Sequence, residues 1–202
     1  WSPRGVITAS SNAASYRDDG QLVFVEGGDL LINAKPFKGF HSLNLECLPN
    51  RDSVKYGSKY GIESASTIFR GTLRYAGFSP LMHVFKRMGF FVDRDCGSST
   101  WEQTIDMLSA ENGFSNWNEF VLFCSSNDEG LASNVKECIR WLGLRDSQMT
   151  LRHPSIVESF YGAIMMFRRD MRFDESFPDQ MSDYDLCMQI YDKGLRSYRN
   201  NI

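Results

Sequence analysis

The stretch Arg70-Gly71-Thr72-Leu73-Arg74-Tyr75 decides how this sequence folds and what it can bind. We interpret residues 66–75 as a β-strand, in which successive side chains point to opposite faces. Three polar side chains then share one face: Arg70, Thr72 and Arg74. Because a guanidinium group grips a carboxylate with two parallel hydrogen bonds, this row suits an anionic small molecule. The same alternation is typical of a strand whose basic residues face water, so both interpretations stay open at this point.

A second polar group precedes this strand. Residues 44–48 are predicted to form a strand that delivers Asn50 and Arg51 at its end, and loops that follow strands often carry binding residues. A short helix is expected next, with Asp52 or Ser53 as its N-cap. Helix capping explains Asp52 better than a role in proton transfer does.

Turn and helix signals place further elements on either side. The turn Asp18-Asp19-Gly20 precedes a predicted strand at 21–25, and residues 5–8 are interpreted as another strand or an entry segment. After the central strand, Ser79 is predicted to be the N-cap of a helix that ends before Gly89. The apolar side chains on the core face of this helix are Leu81, Val84, Phe85 and Met88.

The apolar spacing over residues 96–167 is that of helices. We therefore predict an α+β fold: a mixed β-sheet with covering helices that carries an inserted all-helical subdomain. The expected division is a first α+β part at 1–95, the helical insert at 96–167 and a truncated return segment at 168–202, with a returning strand at 184–191. Three tryptophans are interpreted as packing anchors of the helical part: Trp101, Trp117 and Trp141.

Composition excludes several classes of partner. A net charge of -3 gives no general attraction to nucleic acid or to an anionic membrane, and no apolar run approaches the length that spans a bilayer. The five cysteines show no CxxC spacing and the three histidines no ligand pattern, so we predict free thiols and no metal site. No G-x-G-x-x-G sequence follows a predicted strand. We therefore expect the nucleotide-binding Rossmann domain to be absent from this chain.

Two runs carry a family resemblance: Asn50-Arg51-Asp52-Ser53, and the central strand with its continuation Ala76-Gly77-Phe78. They closely resemble the C-terminal part of saccharopine dehydrogenases of the glutamate-forming type, also called saccharopine reductases. This enzyme occurs alone or fused in bifunctional alpha-aminoadipic semialdehyde synthase. The opening Trp1-Ser2-Pro3-Arg4-Gly5-Val6 is similar to the family segment that enters the substrate domain. The resemblance is dense from Trp1 to about Phe91 and sparse beyond.

The resemblance implies an NAD(P)-dependent hydride transfer in lysine metabolism. Glutamate condenses with aminoadipate semialdehyde, and NADPH reduces the resulting imine to saccharopine; the reverse direction releases glutamate. It also implies that an upstream dinucleotide-binding domain of the same polypeptide binds most of the NADP or NAD, and it is compatible with a homo-oligomer. Neither nucleic acid nor a membrane is expected as a partner. The general acid or base is not assigned, and the chain alone is expected to be inactive.

The resemblance also implies which residues contact the ligands. Carried over by motif position, the substrate-binding residues are Trp1, Arg51, Thr72, Leu73 and Arg74. Ser2 lies where the family places the cofactor. Leu73 would contribute its backbone groups, because its side chain faces away from the arginine row. The second choices for the site, interpreted as residues that orient this set, are Asn50, Arg70 and Tyr75.

A second hypothesis comes from another class of protein: a non-catalytic ligand-binding or regulatory module that retains the anion pocket. The missing dinucleotide fingerprint favours this hypothesis for the polypeptide taken alone, whereas a G-x-G-x-x-G unit upstream of Trp1 would favour the enzyme. We expect the enzyme. An intracellular location is expected, mitochondrial for the bifunctional animal type and cytoplasmic otherwise. The sequence leaves NAD against NADP open.

Overall fold

The computed structural model describes residues 3–39, 43–97 and 99–172. Within them, the chain forms helices around two small sheets. The elements follow in the order α1 (Pro3–Ser10), β1 (Ala14–Asp18), β2 (Gln21–Val25), a short 3-10 helix (Leu31–Asn33), β3 (Lys35–Phe37), β4 (Leu45–Pro49), α2 (Tyr56–Tyr60), β5 (Gly71–Tyr75), α3 (Phe78–Arg87), α4 (Trp101–Glu111), α5 (Trp117–Cys124), α6 (Glu129–Trp141) and α7 (Ile156–Arg172).

Both sheets of the described residues are built from antiparallel ladders. Strands β1 and β2 form a hairpin, and the second sheet has the order β3-β4-β5. The hairpin turn at Asp19 and Gly20 has positive φ angles of 47° and 81°, as the turn prediction requires. Small sheets with covering helices confirm the predicted α+β class.

The predicted central strand is shorter than expected. It begins at Gly71, because residues just before it turn away to join the hairpin: Ile68 exchanges two backbone hydrogen bonds with Arg17, at 3.0 and 3.1 Å. Arg70 therefore lies immediately outside β5, and its backbone N–H donates to the Ser53 hydroxyl at 2.9 Å. Only the second half of the predicted strand was right.

The segment at residues 5–8 is helical, so the interpretation as a strand was wrong. It belongs to α1, in which Ile7 is buried and the Ser10 hydroxyl donates to the Val6 carbonyl at 2.9 Å. Val6 and Ile7 favour strands locally, but an amphipathic helix buries its apolar face against a neighbouring element. Tertiary packing therefore decides the conformation here.

Helix α3 begins earlier than predicted. Gly77, with a φ of 99°, is its N-cap, and Ser79 lies inside the first turn. The Glu46 carboxylate accepts hydrogen bonds from the N–H groups of Gly77 and Ser79, at 3.1 and 2.6 Å. The Glu46 carboxylate of β4 therefore caps the start of α3, the role that was predicted for the Ser79 side chain. The predicted core face is confirmed, since Val84 and its neighbours at 85 and 88 are buried.

Helices α4 to α7 occupy the region where helical spacing was predicted. Phe160 of α7 contacts Phe85, Phe90 and Trp101, with ring centroids 5.1 to 6.3 Å apart. Buried residues of this region and of the sheet region form one continuous core. Trp141 is 60% exposed, so its interpretation as a packing anchor was wrong. The domain boundaries stay a prediction, and residues 184–191 lie outside the described residues.

Candidate functional site

Two residues of the predicted polar row, Thr72 and Arg74, lie on β5 directly opposite two residues of β4. Leu48 is paired with Thr72 and Glu46 with Arg74, and cross-strand partners share a face of the sheet. Helix α1 covers this face. The crevice between them, lined in part by Ala9, has a volume of only about 10 Å³. The face is therefore packed, and a ligand must approach the row from the edge of the sheet.

Arg74 reaches that edge. Its guanidinium donates to the Leu73 carbonyl at 2.9 Å and lies over the Phe78 ring, 5.4 Å from the centroid. The side chain is half-buried, and this burial lowers the pKa of Arg74 from its ordinary value. An arginine stays cationic at neutral pH. A half-buried guanidinium is less screened by solvent and interacts more strongly with an anion than an exposed one does.

The backbone of β5 adds donors at the same edge. Asn50 N–H donates to the Arg70 carbonyl and Ala76 N–H to the Asn44 carbonyl, both at 2.9 Å. In an antiparallel ladder, every second residue forms its backbone hydrogen bonds with the neighbouring strand, so the even-numbered residues of β5 bond to β4. The odd-numbered residues between them turn their N–H and C=O groups to the other side. Leu73 N–H therefore points to the outer edge of β5, where no described strand pairs with it.

Arg51 lies just beyond the end of β4. Its φ of 52° is unusual for a residue with a side chain, and its carbonyl accepts from Ser15 N–H at 2.9 Å. That bond ties the turn to the β1–β2 hairpin. The Arg51 side chain is exposed and makes no hydrogen bond or ion pair among the described residues. The turn thus presents a cation whose donors are available.

Arg70 is held by an aromatic ring that sequence reasoning missed. Its guanidinium carbon lies over the Tyr56 ring, 4.1 Å from the centroid. Lys55 and Lys59 flank the same ring, each at 5.6 Å, and Tyr60 stacks on it at 5.7 Å. The spacing of two tyrosines and two lysines at i and i+4 on a short helix was the available signal.

The remaining predicted residues lie elsewhere. The side chains of Leu73 and Tyr75 are on the opposite face, where Tyr75 is 71% exposed and Leu73 lines a separate cavity of about 450 Å³. Asp52 accepts from Val54 N–H at 2.9 Å, in the turn before α2. The N-cap of α2 is Lys55, without a side-chain hydrogen bond, so the prediction that Asp52 or Ser53 caps this helix was wrong. Asn50 borders the crevice. Trp1 and Ser2 lie outside the described residues.

The described residues do not fit a dinucleotide cradle. A glycine turn leads from strand into helix at β5, Gly77 and α3, the arrangement that receives a phosphate in nucleotide-binding folds. Here the Glu46 carboxylate already accepts from the N–H groups that would bind the phosphate. Within the same part of the chain, no cluster of His, Cys, Asp or Glu could hold a metal ion. No helix there combines the length and apolarity that a bilayer span needs.

Comparison with known proteins gives the family of this α+β chain. Residues 1–151 match the family model described as saccharopine dehydrogenase C-terminal domain. The chain belongs to this family. Its fold is similar to that of apo histidine-tagged saccharopine dehydrogenase (L-Glu forming) from Saccharomyces cerevisiae, with a TM-score of 0.73 and 25% identity. The match covers 87% of this chain and 40% of the yeast chain.

Curated relatives carry the same names. The chain is 34% identical over 160 residues to saccharopine dehydrogenase [NADP(+), L-glutamate-forming] of Schizosaccharomyces pombe, covering 73% of this chain and 35% of that protein. It is 36% identical over 171 residues to the mitochondrial alpha-aminoadipic semialdehyde synthase of Rattus norvegicus, covering 79% and 18%. The Arabidopsis thaliana synthase is 49% identical over 94 residues, covering 45% and 9%. The chain thus spans about a third or less of the length of these relatives.

Proposed function

We propose that this chain forms the saccharopine-binding part of a glutamate-forming saccharopine dehydrogenase. The observation that carries the proposal is the edge of β5, where the half-buried Arg74 guanidinium lies beside the outward-facing Leu73 N–H. A charged fork and a backbone donor side by side bind a carboxylate well. Saccharopine carries three carboxylates around a secondary amine.

Each predicted contact has a role in this proposal. Arg74 and Leu73 N–H bind one carboxylate, and Arg51 binds another from its exposed turn. Thr72 lies in the packed crevice, so its hydroxyl supports the site from beneath the edge. The contributions of Trp1 and Ser2, at the substrate and at the cofactor respectively, rest on motif position alone.

The nicotinamide cofactor, NADP or NAD, supplies the hydride from a dinucleotide-binding domain outside this chain. The residues described here orient the carboxylates, so that the carbon that gains or loses hydride is held in one position. They also balance the negative charge of the substrate. None of them is assigned as the general acid or base. The names of the mammalian relatives support a mitochondrial location if the enzyme is of the bifunctional animal type.

The experiment is a chimera in which this chain replaces the matched region of the S. pombe enzyme. We expect saccharopine-dependent reduction of NADP+, followed by absorbance of NADPH. The competing function, a binding module without catalysis, predicts saccharopine binding by the folded chimera without turnover. A folded chimera that neither binds nor oxidises saccharopine would contradict both functions.

A further inference from the structure

We infer that Arg70 binds a third substrate carboxylate directly, and that Tyr56 is the positioning residue that holds its guanidinium in place. This assignment differs from a supporting role for Arg70. It rests on the proposed function, because it concerns the same tricarboxylate ligand.

The contact with Tyr56 is the first support. The guanidinium carbon of Arg70 lies over the Tyr56 ring, 4.1 Å from the centroid, which is a cation–π contact. The ring accepts no conventional hydrogen bond from the group, so the five N–H donors of the guanidinium stay available to an anion. The contact also removes rotational freedom before any ligand arrives, so a carboxylate that binds there immobilises little further.

The unused donors are the second support. The Arg70 side chain makes no hydrogen bond or ion pair with any described residue. Its hydrogen bonds are made by the backbone: the N–H donates to Ser53 and the carbonyl accepts from Asn50. Arg145, by contrast, pairs with Glu102 and Asp106. An arginine that is half-buried, pre-oriented and without an acceptor is suited to an anion that comes from outside.

The surrounding charge is the third support. Lys55, the N-cap of α2, and Lys59 within it are four residues apart. Both lie over the same ring, and neither forms an ion pair among the described residues. Like charges at this spacing destabilise a helix. The chain as a whole carries a net charge of -3, whereas Lys55, Lys59 and Arg70 together form a positively charged cluster around Tyr56. An anion bound at Arg70 would relieve the repulsion.

The position of Arg70 fits a ligand with carboxylates at separate points. Arg70 precedes Arg74 by four residues, which is roughly 13 Å along an extended chain. Its carbonyl bonds to Asn50 N–H, so it lies beside the turn that carries Arg51. It does not line the closed crevice beneath α1. Arg51, Arg70 and Arg74 therefore offer three separate forks for three carboxylates.

The test uses the complete enzyme that contains this chain, with Arg70→Gln, Arg70→Lys, Tyr56→Phe and Tyr56→Leu. Equilibrium binding of saccharopine should weaken about 10- to 100-fold in both Arg70 variants, because a lysine cannot reproduce the fork. Tyr56→Phe, which keeps the ring face, should bind like the wild type. Tyr56→Leu should weaken binding in the wild-type background. It should cause no further loss in the Arg70→Gln background, because both changes remove the same interaction.

Three saccharopine analogues, each with one carboxylate converted to an amide, locate the contact. For one of them, Arg70→Gln should cause no further loss. Lys59→Gln removes a cation at the same ring without a fork and should change the Kd at most about two-fold, as exposed charges do. Arg152→Gln, an exposed arginine before α7, is the matched control.

The failures are distinguishable. If the wild-type enzyme binds saccharopine and Arg70→Gln binds it within about two-fold, the inference on Arg70 is wrong and the proposed function stands. Equal losses in Arg70→Gln and Lys59→Gln would replace a direct contact by general charge attraction, which also overturns the inference. A folded wild type that fails to bind saccharopine overturns the proposed function and this inference together.

Discussion

Glu46 lies directly opposite Arg74 across the β4–β5 ladder, yet its carboxylate bonds to the first turn of α3. One side chain therefore ties β4, the strand paired with the candidate anion site on β5, to the start of α3. The carboxylate is buried, with only 7% of the residue exposed. It accepts from two backbone N–H donors that a helix start would otherwise leave unpaired.

Glu46→Gln should destabilise the protein by about 1–3 kcal/mol, because an amide can accept only one of the two N–H bonds and leaves a buried donor unpaired. Urea unfolding followed by circular dichroism measures the effect. Glu137→Gln, an exposed glutamate on α6, is the control and should lie within about 0.5 kcal/mol of the wild type. Equal stabilities for the two variants would show that the capping bonds contribute nothing net.

Arg74→Ala should weaken saccharopine binding by the complete enzyme by about 2–5 kcal/mol, which corresponds to roughly 30- to 5000-fold in Kd. Arg74→Lys should recover little of this loss, since a point charge lacks the fork. Isothermal titration gives the affinities, with Arg152→Gln as the control. Near-wild-type affinity in both Arg74 variants would remove this residue from the site.

Gly71→Ala should destabilise the sheet by about 1–3 kcal/mol through overpacking. An added Cβ would lie 2.3 Å from Cys47 Sγ and 2.9 Å from the Leu48 carbonyl oxygen. Thermal unfolding of the variant checks this prediction, with Gly28→Ala as the control because nothing lies within 4 Å of its Cβ position. If both glycine variants unfold together with the wild type, β5 is less closely packed against β4 than described.

The imidazole of His83 should make the stability depend on pH. Burial, then Arg87 and Lys86, lower the pKa of His83, whereas Asp29 opposes them. In the unfolded chain this histidine has an ordinary pKa of about 6.5, so the unfolded chain binds the proton more readily than the folded one. Stability should fall as the pH drops below that value. In urea unfolding at several pH values, His83→Gln should flatten this slope and Arg152→Gln should retain it; identical slopes would contradict the prediction.

The isolated chain should bind NADPH feebly or not at all. Its described glycine turn into a helix is already occupied by the Glu46 carboxylate, and ligand sites at a domain junction need both walls. Isothermal titration against NADPH tests this, with the complete enzyme as the control. Micromolar binding by the isolated chain would mean that the cofactor site was misplaced.

Local signals predicted the elements that local chemistry determines. The hairpin turn at Asp19 and Gly20 and the end of α3 before Gly89 each depend on a few neighbouring residues. The start of α3 could not be predicted in this way. Its cap comes from Glu46, more than thirty residues earlier, and only the β4–β5 pairing brings that carboxylate to Gly77.

The candidate site shows the same limit. The family motif predicted Arg51 and Arg74 as site residues. The alternation of side chains along a strand predicted that Thr72 and Arg74 share one face, as they do. Alternation could not show that α1 closes that face, because residues 5–8 favour strands when read alone. It also could not reveal Tyr56, since the contact with Arg70 depends on how a short helix folds back against the end of the strand.

The donor that Leu73 turns to the open edge of β5 is independent of its side chain. Alanine scanning across this strand would leave that N–H in place and would record no loss of recognition at position 73. Substitutions there can accumulate over evolution without altering the donor, so the edge can keep its specificity after the sequence signature has faded. Only a change to the backbone itself, such as proline or an ester bond at Leu73, would expose its contribution.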